Sequence, residues 1–321
     1  MVAHVDDYPR TQAEFEARFA TEAACRAYLA QLRWPQGFRC PKCGAQKAWS
    51  VGALFECVTC GRQTSVTAGT IFQDTRTPLT TWFRAMWWMT GTKTGASALG
   101  LQRVLGWGSY QTAWAWLHKL RRAMVRPGRD QLTGYVEVDE SLVGGVGTRG
   151  RSTAKKALIV VAAEEVGLGI GRIRMRRIPD GSSDSLLAFV QEAITPGAEI
   201  HTDGWHGYDH LKRHGYGHRV TYLRGHHERA SELLPRVHRV ISLLKRGLLG
   251  THQGAVTPPH LDYYLDEFTF RFNRRRSRHR GKLFFRLAQQ AVAVEPTPYR
   301  TLVRHVRGRR RRPHHNRQGS P

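Results

Sequence analysis

The chain has 321 residues and carries 50 Lys and Arg against 25 Asp and Glu, a formal net charge of +25. That length allows about two domains with a sizeable core. Such an excess of one sign repels itself in any compact state and points to a polyanionic partner, nucleic acid ahead of a membrane surface. No run of about 18 apolar residues occurs, which excludes a membrane-spanning helix. The opening Met-Val-Ala-His-Val-Asp-Asp lacks the basic and apolar regions of a signal peptide, so a cytosolic setting is expected. There the five cysteines would be reduced unless a metal holds them.

The first segment, residues 1–33, reads as helical. Thr11-Gln-Ala-Glu14 has the form of a capping box. Phe15, Phe19, Ala23, Tyr28, Leu29 and Leu32 fit two short amphipathic helices broken near Thr21. Cys25 falls inside the second helix, away from the other cysteines, and reads as a small buried apolar residue.

Residues 34–76 hold the strongest local signal. Cys40-Pro-Lys-Cys43-Gly and Cys57-Val-Thr-Cys60-Gly are two C-x-x-C-G knuckles. Each knuckle turns two sulfurs toward one ion, and the glycine permits the tight turn. Four thiolates make a closed tetrahedral site, structural in kind. Zinc is the default metal and iron the alternative. With Trp49 and Phe55 between the knuckles the pattern looks like a zinc ribbon, whose metal would supply folding free energy on the order of 10 kcal/mol.

Residues 77–130 predict three helices, over 80–89, 95–105 and 110–124, with Ser109 as N-cap of the last. Short helices, short turns and the basic end Lys119-Leu-Arg-Arg fit a helix-turn-helix-like DNA reader. A plain three-helix core around Trp82, Trp87, Trp114 and Leu117 fits as well.

From Gly134 the period becomes that of strands. Expected strands are 135–139, 156–163, 170–178, 198–203 and 218–223, with a helix over 183–194 between the third and fourth. Helices follow, one around His238 and one over 260–273. This order suits a mixed sheet flanked by helices, α+β or α/β in class. The end of the last helix, Arg271 to Arg280, and the tail from Arg304 are dense in arginine. The tail is too charged to fold alone and should bind phosphate nonspecifically.

In so acid-poor a chain, carboxylates that end strands stand out. Asp139 lies in Val-Glu-Val-Asp-Glu, in phase with Glu137, so the two share a sheet face. Asp203 ends the fourth strand before Gly204, 35 positions ahead of His238, and Lys245 comes 7 after His238. Seven residues make nearly two helical turns, so His238 and Lys245 share a helix face. Strand-end carboxylates, a helix-borne ligand and a cation suit a metal site that handles phosphate. Either aspartate could equally serve an ordinary turn, and Gly144-Gly145 is more simply a turn than a phosphate loop.

Several stretches are similar to the bacterial insertion-sequence transposases of the IS1595 (ISXO2-like) family. They are Leu32-Arg-Trp-Pro-Gln-Gly-Phe-Arg-Cys-Pro-Lys-Cys-Gly, Ala68-Gly-Thr-Ile-Phe, Val138-Asp-Glu-Ser-Leu-Val-Gly-Gly and Thr202-Asp-Gly-Trp. Ser242-Leu-Leu-Lys-Arg-Gly-Leu-Leu-Gly-Thr-His-Gln-Gly and Tyr264-Leu-Asp-Glu-Phe-Thr-Phe-Arg-Phe-Asn-Arg-Arg are the most specific. The resemblance runs from about Thr11 to Leu287. It implies a zinc ribbon, helix-turn-helix-like DNA binding and a ribonuclease-H-like DDE catalytic domain over 131–293, followed by a basic disordered tail, 294–321.

It also implies that Asp139 and Asp203 are the first two catalytic acids and hold Mg or Mn, while Cys40, Cys43, Cys57 and Cys60 hold zinc. The third acidic position falls on His238. Neutral imidazole ligates manganese better than magnesium, and His238 could instead serve as a general acid or base. Glu228 and Glu232 are substitutes off the family spacing. Lys245, Arg246, Arg274 and Arg275 are the expected DNA contacts. The implied partners are terminal inverted repeats and target DNA. Pairing two ends implies at least a homodimer, on the nucleoid of a bacterial cytoplasm. Two other functions fit the residues: a non-catalytic DNA-binding protein or decayed transposase, and a structure-specific nuclease of the same fold.

Overall fold

The computed structural model describes residues 7–126, 128–144, 156–222, 230–254 and 256–304. Gly145, Glu228 and the arginine-rich tail after Arg304 lie outside them. Helices α1 (Gln12–Arg18) and α2 (Glu22–Arg33) come first. The Thr11 hydroxyl accepts from Glu14 N at 3.1 Å, and the Glu14 carboxylate accepts from Arg10 N at 2.6 Å. Thr21 caps α2 likewise, which is the break expected there. A small antiparallel sheet follows: β1 (Ala48–Val51), β2 (Leu54–Cys57) and β3 (Gln63–Ser65). Helices α3 (Leu79–Gly91), α4 (Ala98–Leu105) and α5 (Tyr110–Arg122) complete the N-terminal half, with Ser97 and Ser109 capping α4 and α5.

The C-terminal half contains β4 (Tyr135–Val143), β5 (Ala157–Val166), β6 (Gly169–Ile178), α6 (Ser183–Ala193), β7 (Glu199–Asp203) and β8 (Gly217–Thr221). Then come α7 (Ala230–Leu233), α8 (Pro235–His252), α9 (Leu261–Phe272), α10 (Gly281–Ala291) and α11 (Tyr299–Arg304). The five strands form one mixed sheet in the order β6-β5-β4-β7-β8. The β4, β5 and β6 strands are antiparallel neighbours, whereas β4, β7 and β8 run parallel. The fold is therefore α+β and multidomain, with the mixed helix-flanked sheet that the strand periodicity predicts.

Strand alternation divides the sheet's side chains between two cores. Val136, Val138, Val160, Ala162 and Ile200 face α6, while Ile159, Val161, Ala163 and Ile173 face α8 and α9. A third core joins α1 to α5 with α10: Phe15, Phe19, Leu29, Phe83, Met86, Leu117 and Phe284 are all buried in it. The first two helices thus share a core with the helical region after the ribbon, and α10 returns to it from beyond the sheet. Residues 294–304, expected in the disordered tail, are folded: Val294 and Leu302 are buried, and α11 forms.

α5 is central rather than peripheral. Trp116 stacks on Trp82 with ring centroids 3.4 Å apart, and Ala113, Leu117, His118 and Leu120 are buried. Its exposed turn is Tyr110-Gln111-Thr112. Arg121 at the helix's basic end is buried against Glu267 of α9 at 2.7 Å. Glu267 also accepts from Ala96 N at 2.9 Å and pairs with Arg271 at 2.7 Å. Arg271 in turn donates to Thr92 O at 2.7 Å. Burial alone would raise the Glu267 carboxyl, but the two guanidinium groups hold it down to about 2. This paired and hydrogen-bonded network docks the helical half onto α9.

Candidate active site and metal-binding cluster

In the small sheet, Gly44 and Gly61 sit at φ 75° and 66°. That left-handed turn lets Gly44 N donate to Cys40 O and Gly61 N to Cys57 O, each at 2.9 Å, and folds each knuckle back on itself. The four sulfurs converge within 4.8 Å of one another, with Cys40 Sγ 3.7 Å from Cys60 Sγ and Cys43 Sγ 3.6 Å from Cys57 Sγ. A tetrahedron with arms of about 2.3 Å has edges of about 3.8 Å, so the cluster has the size of a zinc–thiolate site. Cys25 stands apart and buried, its thiol pushed up to about 12 by burial, as an inert core residue. Trp34, Phe38 and Phe55 pack the ribbon's aromatic side, whereas Trp49 is 66% exposed.

The second constellation lies on the main sheet. β4 and β7 pair in parallel with Tyr135 opposite Glu199 and Glu137 opposite His201. The same offset sets Asp139 level with Asp203 where β7 ends. Alternation puts Glu137, Asp139, His201 and Asp203 on the face that α8 covers. Carboxyl ends of parallel strands are where such sheets bind ligands. From α8, His238 Nε2 approaches Asp139 Oδ2 to 3.8 Å, with both side chains largely shielded. That nitrogen is buried and has no hydrogen-bond partner. Burial pushes the Asp139 carboxyl up to about 6, with Asp203 raising it further and His238 and Lys245 opposing. The cluster thus holds a shielded carboxylate beside an unused imidazole nitrogen.

Two family models match the chain. A transposase zinc-ribbon domain covers residues 20–63, and an ISXO2-like transposase domain covers residues 131–273, both of the IS1595 group. The chain belongs to the IS1595 family of insertion-sequence transposases. Over 216 residues it is also 27% identical to an uncharacterized protein in transposable element ISH50 of Halobacterium salinarum, a match that spans 60% of this chain and 71% of that protein.

In this transposase, Glu137 has a part that the sequence did not disclose. It is 2% exposed, two residues before Asp139 on the same face. Its Oε2 accepts from Arg236 N at 2.7 Å and Val237 N at 2.8 Å, and its Oε1 accepts from Arg236 Nη1 at 2.9 Å. Glu137 thus caps the start of α8 from the strand beneath it, at the residue before His238. Leu234, at the N-cap position, makes no side-chain cap of its own. A strand glutamate in phase with Asp139, on a face otherwise turned to the core, was the available signal.

Glu140 was also passed over, because a strand turns adjacent side chains to opposite faces. Burial raises its carboxyl to about 7, and the charges of Asp139 and Asp203 add to the rise. The buried Tyr208 hydroxyl opposes that rise as a hydrogen-bonding neighbour of the Glu140 carboxylate.

Other expected residues fall in varied places. Lys245 and Arg246 are exposed on α8, and the Lys245 charge reaches Asp139. Arg274 donates to Phe270 O at 3.2 Å and lies over the Phe270 ring. Arg275 donates to Phe272 O and to Gly171 O on β6. Glu232 is exposed on α7. Among the described residues, only the four cysteines form a group of three or more possible metal ligands within 4.8 Å of one another; Asp139, Asp203 and His238 do not. No helix among the described residues is long and apolar enough to cross a membrane.

Proposed function

We propose that this transposase binds the terminal inverted repeats of its element, hydrolyses the transposon 3′ ends and joins them to target DNA. The observation that carries the reading is the level placement of Asp139 and Asp203 on adjacent parallel strands, with His238 at 3.8 Å from Asp139. The strand order β6-β5-β4-β7-β8, with β6 and β5 antiparallel and β4, β7 and β8 parallel, supports reading the sheet as ribonuclease-H-like, a scaffold suited to such chemistry.

Asp139 and Asp203 would hold magnesium or manganese, with His238 as the third ligand. The unpartnered His238 imidazole nitrogen beside the Asp139 carboxylate fits a cation, and two carboxylates with one imidazole would leave an ion room to keep waters. A divalent ion there would supply charge to activate the attacking oxygen and stabilise the leaving one. Lys245 and Arg246 would lie along the DNA phosphates at the mouth of the site. Zinc at Cys40, Cys43, Cys57 and Cys60 would hold the ribbon together without joining the chemistry. Assembly of two ends calls for at least two copies of the chain, acting in the cytosol on nucleoid DNA.

The test is strand transfer by the zinc-loaded, full-length protein on precut end DNA with Mg²⁺ or Mn²⁺. Wild type should join ends to target, whereas Asp139→Asn and Asp203→Asn should lose joining and keep end binding. Joining that survives both substitutions would refute the site. Cutting without joining would mark a nuclease, and binding without any chemistry a decayed element's DNA-binding protein.

A further inference from the structure

At the β6 edge, two strands away from β4, a cavity of about 540 Å³ opens between the α5–β4 connection, β6, α9 and α10. Arg126, Arg129, Arg172, Arg174, Arg274 and Arg286 line it, facing two lining carboxylates, Asp130 and Asp266. Arg126 pairs with Asp130 at 3.1 Å, Arg172 with Glu164 at 2.6 Å and, more loosely, Arg129 with Glu192 at 3.9 Å. Arg174 is 5% exposed and Arg274 is half-buried, and among the described residues neither has a carboxylate within 4.0 Å. Arg174 donates only to the Ile173 and Asp130 carbonyls, and Arg274 to that of Phe270. Burial lowers both guanidinium groups to about 10. Arg129 and Arg172 lower Arg174 further, and Arg286 and Arg126 lower Arg274. Burial also raises Asp266 to about 7, so that carboxyl is a weak counter-charge.

Arg174 and Arg274, shielded from water with no paired carboxylate among the described residues and repelled by neighbouring arginines, are costly to bury unless an anion relieves them. The chain beside the cavity continues the charge outward, with Arg122, Arg275, Arg276 and Arg278 all exposed. An extended polyanion fits that band better than an isolated anion does.

We propose that this pocket is a DNA-phosphate site outside the catalytic centre, holding consecutive phosphodiester groups of a duplex against the β6 edge. The proposal rests on the reading of the chain as a DNA-processing transposase. It adds a second anchoring point, made by both halves of the molecule, to the mouth beside Asp139.

The experiment measures affinity for a duplex of about 30 base pairs as a function of salt, for the full-length zinc-loaded protein and its Arg129→Gln/Arg286→Gln double variant. Both substituted side chains are partly exposed, and an unchanged thermal midpoint would certify the variant's fold. The expected result is a loss of about tenfold in affinity and a salt slope shallower by about 1 to 2, one unit per lost phosphate contact. Affinity and slope equal to wild type would overturn the proposal. Stabilisation of wild type by inorganic pyrophosphate with an unchanged DNA slope would also overturn it, assigning the pocket to a free anion. Arginine modification of wild type gives an arm without variants: DNA should shield Arg129 and Arg286 from phenylglyoxal, and failure to shield them counts against the site. If wild type binds no DNA under any salt, it is the transposase reading that fails.

Discussion

Asp139 and Asp203 were legible as residues because acids are scarce and strand ends are readable. The mutual register that makes them neighbours follows from the sheet order. Glu137 was legible only as a face. Alternation says that it points inward, but nothing local says that the start of α8 descends onto it. Glu137→Gln would replace one acceptor with a donor facing the N–H groups of Arg236 and Val237. It should destabilise the protein by about 3–5 kcal/mol, as does breaking a buried pair, and depress joining more than end binding. Denaturant unfolding together with a binding assay would detect this, and a variant as stable and active as wild type would remove Glu137 as the anchor of His238. The expected DNA contacts Arg274 and Arg275 illustrate the opposite limit. An arginine run reads as phosphate binding, yet both side chains also satisfy backbone carbonyls of their own fold.

The strands and most helices were readable as elements, because burial on one or both faces imposes a period that the side chains record. α10 was not, since Leu283, Phe284, Phe285 and Leu287 follow an arginine run that dominates the local composition, and their partners lie more than 180 residues earlier in the chain. α5 could be placed either as a DNA reader or as a core helix, and its depth became evident only with α9 against it. The junction carries a pH signature. His118 is fully buried, and burial, with Arg121 and other histidines adding, lowers its imidazole to about 2. The unfolded chain takes up a proton near pH 6.5 that the folded one refuses, so this part of the stability is intact above that pH and is lost as pH falls below it. The loss is about 1.4 kcal/mol per pH unit. Between pH 7.5 and 5.5, His118→Phe should therefore lose less stability than wild type, and parallel losses would show that the ring is not held neutral. Glu267→Gln at the same junction should cost about 3–5 kcal/mol, because Arg121 and Arg271 would be left buried with a neutral partner.

Across the whole molecule, the excess of positive charge was the first clue to a nucleic-acid partner, and part of it gathers in the arginines around β6 and the end of α9. The ribbon was the most legible module, since four cysteines and two left-handed glycines specify it locally. How the ribbon joins the rest was not legible: Val66, Ile71 and Phe72, just past its last strand, are buried in the helical core. A strong chelator should release one zinc per chain and unfold the ribbon, while the helical core and the main sheet keep their cooperative transition. Fresh protein without zinc, or a ribbon unmoved by the chelator, would contradict the cluster's structural role. The claim on which the rest depends is that His238 completes a metal site with Asp139 and Asp203. Its most direct test is strand transfer in Mg²⁺ and in Mn²⁺ by wild type, His238→Glu and His238→Ala. Wild type should favour Mn²⁺, the glutamate should shift preference toward Mg²⁺, and the alanine should lose joining in both. Equal activity with all three residues at position 238 would put the third ligand elsewhere.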